Sequence, residues 1–221
     1  MLHANTLTFL NKLQKNNNKE WFDKNRALYD EAKQDFENLV AQLIVMLGKD
    51  DEEISLLKPK DCTFRINRDI RFSKDKTPYK TNMGAYIVKG GKKSLYAGYY
   101  FHCEPGRSFV GGGLWMPQPA DLKKVRQEID YCWDEFKGIV QSKKFKSVYT
   151  DLSRDAEYTL SKVPRDYDKD NPAAEYLKLK SLVGLHNVAD NDITSKALVK
   201  KLGDAFSTLK PVIDFINRSL E

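Results

Sequence analysis

A block of strand-like segments in the middle of the chain limits the folds open to this sequence. Residues 62–66 alternate apolar with polar side chains, which is the period of a half-buried strand. Two later segments are closed by Gly90-Gly91 and by Pro105-Gly106, pairs that favour tight turns. Four strands are expected, at residues 62–66, 83–88, 94–103 and 108–115. Short connections between consecutive strands predict an antiparallel meander.

Apolar residues at helical spacing flank this block on both sides. A first helix carrying Leu7, Leu10 and Leu13 is expected to be capped by Asn5 or Thr6. Further helices are expected from the Asn16–Asn18 run to Gly48, at residues 121–140 and 172–182, and at 192–220 with a kink at Pro211. The sequence therefore predicts an α+β fold. We expect one domain, residues 1–221, with helical parts at 1–57 and 117–221 and a sheet part at 58–116.

Positive charge is concentrated in one window of the chain. The whole sequence has 37 Lys and Arg against 31 Asp and Glu, a net charge of +6. Residues 58–93 hold eleven Lys and Arg against three Asp, a net of +8, which leaves −2 for the remainder. Such a concentration indicates an anionic partner. The alternative is that acidic patches on neighbouring helices neutralise the window.

Other sequence features bear on the cellular location of the protein and on the metals and cofactors that it could bind. The three cysteines, Cys62, Cys103 and Cys132, are odd in number and lack metal-binding spacing, which predicts reduced thiols in a cytoplasmic protein. No signal peptide and no span long enough for a bilayer is visible, so no membrane partner is expected. Neither a metal-binding motif nor a nucleotide-binding glycine loop occurs, so no metal is expected and no cofactor is identified.

The basic window contains a motif in which arginines alternate with core-type residues, at residues 62–80. Arg65 and Arg71 share one strand face if the strand is continuous, while Arg68 lies at a bend. Asp69 can accept a forked pair of hydrogen bonds from one arginine, which leaves the others to bind a phosphate or carboxylate. Candidate ligand-binding residues are Arg65, Arg68, Arg71, Lys76, Tyr79, Tyr100 and Trp115. Alternatively, the arginines form salt bridges to Glu20, Asp23 or Glu104 and clamp the sheet to the helices.

The third expected strand offers candidates for proton transfer. Tyr100, His102 and Glu104 lie on one face of it by the period of two. A histidine beside a carboxylate can act in acid–base chemistry, so His102 and Glu104, together with Asp69, are the candidate catalytic residues. The alternative is a hydrogen-bonded structural pair.

A glycine run, residues 111–113, stands in the fourth expected strand. Glycines there indicate a bulge, or space for a ligand or another chain to approach the backbone closely. We expect a ligand cleft floored by these glycines and walled by Arg65, Arg71, Tyr100, His102 and Trp115.

Four stretches of the sequence resemble one known family. They are N-N-N-K-E-W-F-D-K-N-R (residues 16–26), F-R-I-N-R-D-I-R-F-S-K-D-K-T-P-Y-K (64–80), Y-Y-F-H-C-E-P-G (99–106) and G-G-G-L-W (111–115). In this order they are similar to domain of unknown function 2461, a family of bacterial proteins also found in some fungi. The resemblance covers nearly the full chain. It implies membership and carries no activity, cofactor or catalytic residue over to this sequence.

Three functions therefore stand open. The chain can be a protein that binds an anionic small molecule in an arginine-lined cleft, or an enzyme acting on it. It can be a nucleic-acid-binding module that uses the basic 58–93 surface. It can also be a scaffold domain in which the arginine and aspartate motif is a structural network. We rank the nucleic-acid hypothesis second, because arginines that alternate with core residues indicate internal placement.

Overall fold

The computed structural model describes all residues, 1–221, and contains eleven α-helices and four strands. The helices are α1 (Ala4–Lys15), α2 (Lys19–Lys24), α3 (Arg26–Leu47), α4 (Glu52–Ser55), α5 (Pro59–Cys62), α6 (Pro119–Tyr131), α7 (Trp133–Val140), α8 (Lys143–Tyr149), α9 (Ala174–Leu177), α10 (Asp190–Ile193) and α11 (Leu198–Arg218). The strands are β1 (Met83–Ile87), β2 (Gly98–Cys103), β3 (Phe109–Leu114) and β4 (Leu182–Asn187).

The four strands form one antiparallel sheet in the order β1-β2-β3-β4, which confirms the α+β prediction. The strand expected at residues 62–66 is wrong. Pro59 instead begins the short helix α5, whose Asp61 carboxylate accepts a hydrogen bond from the backbone of Lys58. The chain that follows, up to β1, forms no strand and pairs with the sheet through one isolated bridge, between Thr63 and Ala85 of β1.

The fourth strand of the sheet is β4, which lies between the helices expected at residues 172–182 and 192–220 and was not predicted from the sequence. Its six residues are too short for a clear alternation, and Gly184 interrupts their apolar run. A Cβ atom at position 184 would press against the ring of Tyr149, which explains the glycine there.

Close approach between strands explains the glycine run. A Cβ atom at Gly111 would fall onto the carbonyl oxygen of Gly184, and one at Gly113 onto that of Leu182. Gly113 also has φ +118°, a conformation that other residues rarely adopt. The space above these glycines is filled by neighbouring strands, so the expectation that they floor a ligand cleft is wrong.

Two expected helices are broken by a single residue each. Asn25 separates α2 from α3, and Cys132 separates α6 from α7, each with φ near −110°. The expected cap of α1 is also wrong. The N-cap residue is His3, and the Thr6 hydroxyl donates to the Asp35 carboxylate of α3 at 2.6 Å.

Contacts divide the chain into two compact units. The first unit comprises residues 1–94, 100–110 and 187–203, and the second comprises 95–99, 111–186 and 204–221. In the first unit, α1 and α3 bury apolar faces, and Phe36 stacks on Phe101 of β2 at 6.0 Å. In the second unit, Phe136 packs against Phe215 at 4.9 Å. The single domain expected from the sequence stays a prediction.

None of the helices has the length and apolar character needed to cross a bilayer. All three cysteines are free thiols. Burial raises the pKa of Cys62 to about 11 and that of Cys103 to about 12, so both behave as inert core residues.

Candidate functional site

Arg68 holds together the loop in which it lies. This loop, residues 68–77, is called the arginine loop below. The Arg68 guanidinium forms an ion pair with Asp75 and donates to the hydroxyl of Thr77, and it reaches the Thr77 carbonyl at 3.2 Å. Thr77 in turn donates its backbone N–H to Asp75 at 2.9 Å. The pKa of Asp75 is lowered by the hydrogen bonds from Thr77 first and by Arg68 second. Arg68 is therefore satisfied within the protein.

Arg71 is paired just as locally. Its Nε and Nη2 atoms donate to the two carboxylate oxygens of Asp69 at 2.9 and 2.6 Å, the forked geometry expected for this pair. This pairing lowers the pKa of Asp69 and raises that of Arg71. Lys76 donates its ammonium to the carbonyl of Ile70 at 3.0 Å. The arginine loop thus uses most of its polar groups on itself.

Tyr79 belongs to the core. Its ring is buried and stacks on Phe22 of α2 at 4.0 Å, and its backbone N–H and C=O both bond the side-chain amide of Asn17. Asn17 thereby joins the N-N-N run before α2 to the end of the arginine motif, 62 residues later. These contacts join two of the stretches that resemble the known family, residues 16–26 and 64–80.

The polar face of β2 carries a hydrogen-bonded chain. The Tyr100 hydroxyl lies 3.1 Å from Nδ1 of His102, and Nε2 of His102 lies 3.2 Å from Glu104. Since the pKa of His102 is lowered, mainly by burial, its ring is neutral near pH 7. The Tyr100 hydroxyl then donates to Nδ1, and Nε2–H donates to the carboxylate. The period-two prediction put these three side chains on one face.

Glu104 is the charged end of this chain. Although burial opposes the change, hydrogen bonds from Thr81 at 2.7 Å and from His102, with the charge of Arg107, lower its pKa overall. Arg107 donates to the same carboxylate at 2.8 Å. Burial raises the pKa of Tyr100 to about 12, so its hydroxyl keeps its proton. With every member satisfied, the chain has the features of a structural network that can also relay a proton.

Arg65, unlike the other two arginines, forms no ion pair and faces an open cavity. This cavity has a volume of about 510 Å³, within the usual range for small-molecule sites, and is called the cationic groove below. It is lined by Tyr29, Lys33, Phe36, Glu37, Lys60, Thr63, Phe64, Arg65, Ile66, Met83, Lys92 and Lys93. All of these residues belong to the first unit.

The charges of the cationic groove are unbalanced. Five cations line it against one carboxylate, and that carboxylate, Glu37, lies 3.8 Å from Lys33 on α3. Lys92 donates to the backbone carbonyl of Lys60, which leaves its charge without an anion. Lys60, Arg65 and Lys93 form no ion pair. Aromatic rings and aliphatic side chains form the rest of the lining.

Phe64 connects the groove to the polar chain on β2. Its ring lines the groove, is 41% exposed, and lies 6.4 Å from the ring of Tyr100. Lys80 sits over the same ring, 5.4 Å from its centre. Burial and the nearby Arg65 both lower the pKa of Lys80. Lys80 is therefore a further cation beside the groove that has no counter-charge.

The structure therefore separates the residues that the sequence grouped. Arg65 lines the groove, whereas Arg68, Arg71 and Lys76 are occupied in the arginine loop. Trp115 lies in the second unit, where it packs edge-on against Tyr158 at 4.6 Å. The roles proposed for these residues stay predictions.

Of the residues that line the groove, sequence reasoning named only Arg65 as a site residue, and those it missed include Tyr29, Lys60, Lys92 and Lys93. The three lysines belong to the basic window, but the arginines and Lys76 were the basic residues singled out there. Tyr29 lies on α3, within a helix that the sequence predicted, and was not named as a site residue. No signal in a single sequence brings α3, α5 and the segment after Gly91 to one cavity. No group of His, Cys, Asp and Glu residues in the structure could hold a metal ion.

Comparison with known proteins gives one match. A family model described as "Conserved hypothetical protein (DUF2461)" matches residues 5–215. No curated protein and no solved structure matches the chain.

Proposed function

The chain belongs to the DUF2461 family, whose description carries no activity, and we propose that it binds a small anionic molecule in the cationic groove. The ligand carries a phosphate or a carboxylate on an apolar body of about the size of an aromatic ring. The observation that carries this proposal is that Lys60, Arg65 and Lys93 surround the groove without ion-pair partners.

Electrostatics supports an anion in this position. Cations held close together by a fold repel one another, and a bound anion converts that repulsion into attraction. An arginine offers a forked pair of donors that fits a phosphate or a carboxylate, and lysines add point charges around it. We assign the forked contact to Arg65 and the flanking charges to Lys60 and Lys93.

The lining also supports an apolar body on the ligand. Phe64 is partly exposed in the groove, and Tyr29, Phe36 and Met83 add apolar surface around it. Small-molecule sites typically combine such surface with a few polar anchors. A phosphate monoester of an aromatic alcohol, or an aromatic carboxylate, satisfies both features, whereas inorganic phosphate satisfies only the first.

The other candidate residues take supporting roles in this proposal. Arg68 and Arg71 shape the arginine loop, and Tyr79 fixes it to α2. Tyr100, His102 and Glu104 lie one ring away from the groove, behind Phe64, so an acid–base step on the ligand would fall to Tyr100. Three free thiols support the cytoplasm as the location.

Calorimetric titration with phenyl phosphate tests the proposal. We expect saturable binding that weakens at least tenfold in the double variant Arg65→Ala/Lys93→Ala and weakens as salt is raised. Phenyl phosphate should bind more tightly than inorganic phosphate, because only its ring can displace water from Phe64. Lys200→Ala is the matched control, since Lys200 is an exposed lysine of the same unit outside the groove.

Two results would overturn the proposal. One is the absence of binding at millimolar phenyl phosphate in low salt. The other is equal affinity in the wild type and in the double variant, with both proteins folded by circular dichroism.

A scaffold role is the second candidate, and the Arg68 network is the observation that favours it. A network of this kind stabilises a loop whether or not a ligand is present. It gives no reason for the unbalanced charge of the groove, so we rank it below ligand binding.

A further inference from the structure

The arginine loop presents one aromatic ring to solvent. Phe72 is 95% exposed, more than any other large apolar side chain of the protein. Neither ring face is covered by the core, and only the guanidinium of Arg71 approaches, 5.8 Å from the ring centre. Keeping a phenyl ring in water forgoes on the order of 2 kcal/mol of burial energy. An exposed ring in a well-bonded loop is typical of a contact surface.

The loop around this ring is ordered by its own hydrogen bonds. Arg68 ties the start of the loop to Asp75 and Thr77, and Lys76 ties its end to Ile70. Ser73 adds a turn bond from its N–H to Ile70 at 3.4 Å. A ring held in place in this way loses little conformational entropy when a partner binds.

Unpaired positive charge flanks the ring. Lys74 is exposed and forms no ion pair, and Lys76 has only a carbonyl as its acceptor. The two acids of the loop, Asp69 and Asp75, are already committed to Arg71 and Arg68. The loop therefore offers a flat apolar ring beside two ammonium groups that have no anionic partner.

We propose that Phe72 is a stacking platform for single-stranded nucleic acid, with Lys74 and Lys76 contacting the phosphates next to the stacked base. Base stacking on aromatic side chains tolerates any sequence, and nearby lysines contribute through counterion release. This site is separate from the cationic groove and shares no residue with it.

The ion pair on the ring favours nucleic acid over a membrane. If Phe72 entered the acyl chains of a lipid bilayer, the guanidinium of Arg71 and the carboxylate of Asp69 would move towards the hydrocarbon with it, at a large desolvation cost. A base that stacks on the open ring face leaves this pair in water. The guanidinium also adds attraction to a stacked base.

Fluorescence anisotropy with a labelled 20-nucleotide oligothymidylate tests the proposal. We expect binding at low salt that weakens about tenfold or more in Phe72→Ala. Leu56→Ala, which removes another exposed apolar side chain of the same unit, should leave binding unchanged. Because both side chains are exposed, neither variant should affect folding.

The salt dependence gives a second readout. Removing both charges in Lys74→Ala/Lys76→Ala should reduce the slope of log affinity against log salt by about 1.4, from about 0.7 for each phosphate contact on a single strand. When Phe72→Ala is added to the groove variant Arg65→Ala/Lys93→Ala, it should weaken oligonucleotide binding by the same factor as in the wild type. This result would separate the site on the loop from the proposed function of the groove.

Three outcomes would overturn the proposal. They are no oligonucleotide binding at low salt, equal binding by Phe72→Ala and wild type, and Phe72-dependent binding to vesicles of phosphatidylserine and phosphatidylcholine without binding to the oligonucleotide. The last result would assign the loop to an anionic membrane instead.

Discussion

Asp69 and Asp75 set what the arginines of the motif can do. Each lies within seven residues of the arginine that it pairs, so the ion pairs are local. Arg65 forms no ion pair, although its charge also helps to lower the pKa of Asp69, and it lines the groove. The sequence predicted that Asp69 could orient one arginine, and Arg71 is the one it holds. It could not predict which of the three would stay free, because this depends on how the loop turns after residue 68.

Arg68 and Arg71 should differ in their effect on stability. Arg68→Ala should lower the free energy of unfolding by about 2 kcal/mol, because its side chain is only 25% exposed and its loss removes the charged donor from Asp75 and from the Thr77 carbonyl and hydroxyl. Arg71→Ala should have no measurable effect, because the pair with Asp69 is exposed to solvent. Urea denaturation of the two variants checks this, and equal losses would contradict it.

His102 should make stability depend on pH. Because its folded pKa lies below 6.5, the unfolded chain binds the proton more readily. The stability it contributes is therefore full above about pH 6.5 and is lost as the pH falls through the folded pKa. We expect the free energy of unfolding to fall as the pH drops below about 6.5, and to fall less in His102→Gln.

The exposed His186 provides the control for this effect. His186→Gln should keep the pH dependence of the wild type. Below about pH 4.5, protonation of Glu104 should lower stability further in all three proteins, because its folded pKa is also depressed. A pH profile unchanged by His102→Gln would show that the ring is not held neutral by burial.

At the scale of elements, periodicity predicted most helices and three of the four strands. Periodicity failed where an element forms only through contacts with residues that are distant in the sequence. β4 joins the sheet only because β3 carries glycines that let its backbone approach, about seventy residues earlier in the sequence. The opposite error, a strand at residues 62–66, arose because a period of two also fits an extended segment without a ladder.

Two glycines test this account of the sheet. Gly113→Ala should lower the free energy of unfolding by about 3 kcal/mol or more, because its φ is positive and the new Cβ atom would overlap the Leu182 carbonyl. Gly138→Ala in α7 should instead raise it by about 0.5 to 1 kcal/mol, because nothing lies near the new atom and alanine favours a helix. Thermal denaturation of both variants checks the opposite signs.

At the scale of the whole molecule, the net charge of +6 is distributed unevenly, and the fold preserves the concentration seen in the sequence. Local carboxylates neutralise Arg68 and Arg71, while the cations of the groove keep their charge. The concentration of Lys and Arg in residues 58–93 predicted an anionic partner. It could not predict the position of this partner, because four separate segments of chain form the cavity, at residues 29–37, 60–66, 83 and 92–93.

Glu37 provides a test of this charge balance. It is the one carboxylate of the groove, so Glu37→Gln should strengthen phenyl phosphate binding several-fold by removing repulsion from the ligand. The gain should shrink as salt is raised. Glu31→Gln, an exposed glutamate on the same helix that does not line the groove, should change nothing. Weaker binding by Glu37→Gln would show that the ligand is not an anion or lies elsewhere.

A crystal structure with 4-bromophenyl phosphate tests the central claim most directly, because anomalous scattering from bromine locates the ring independently of the phosphate. The account predicts the bromine against Phe64, and the phosphate within hydrogen-bonding distance of Arg65 and flanked by Lys60 and Lys93. A groove that stays empty at a concentration that saturates the protein in solution, with the bromine signal elsewhere, would contradict it.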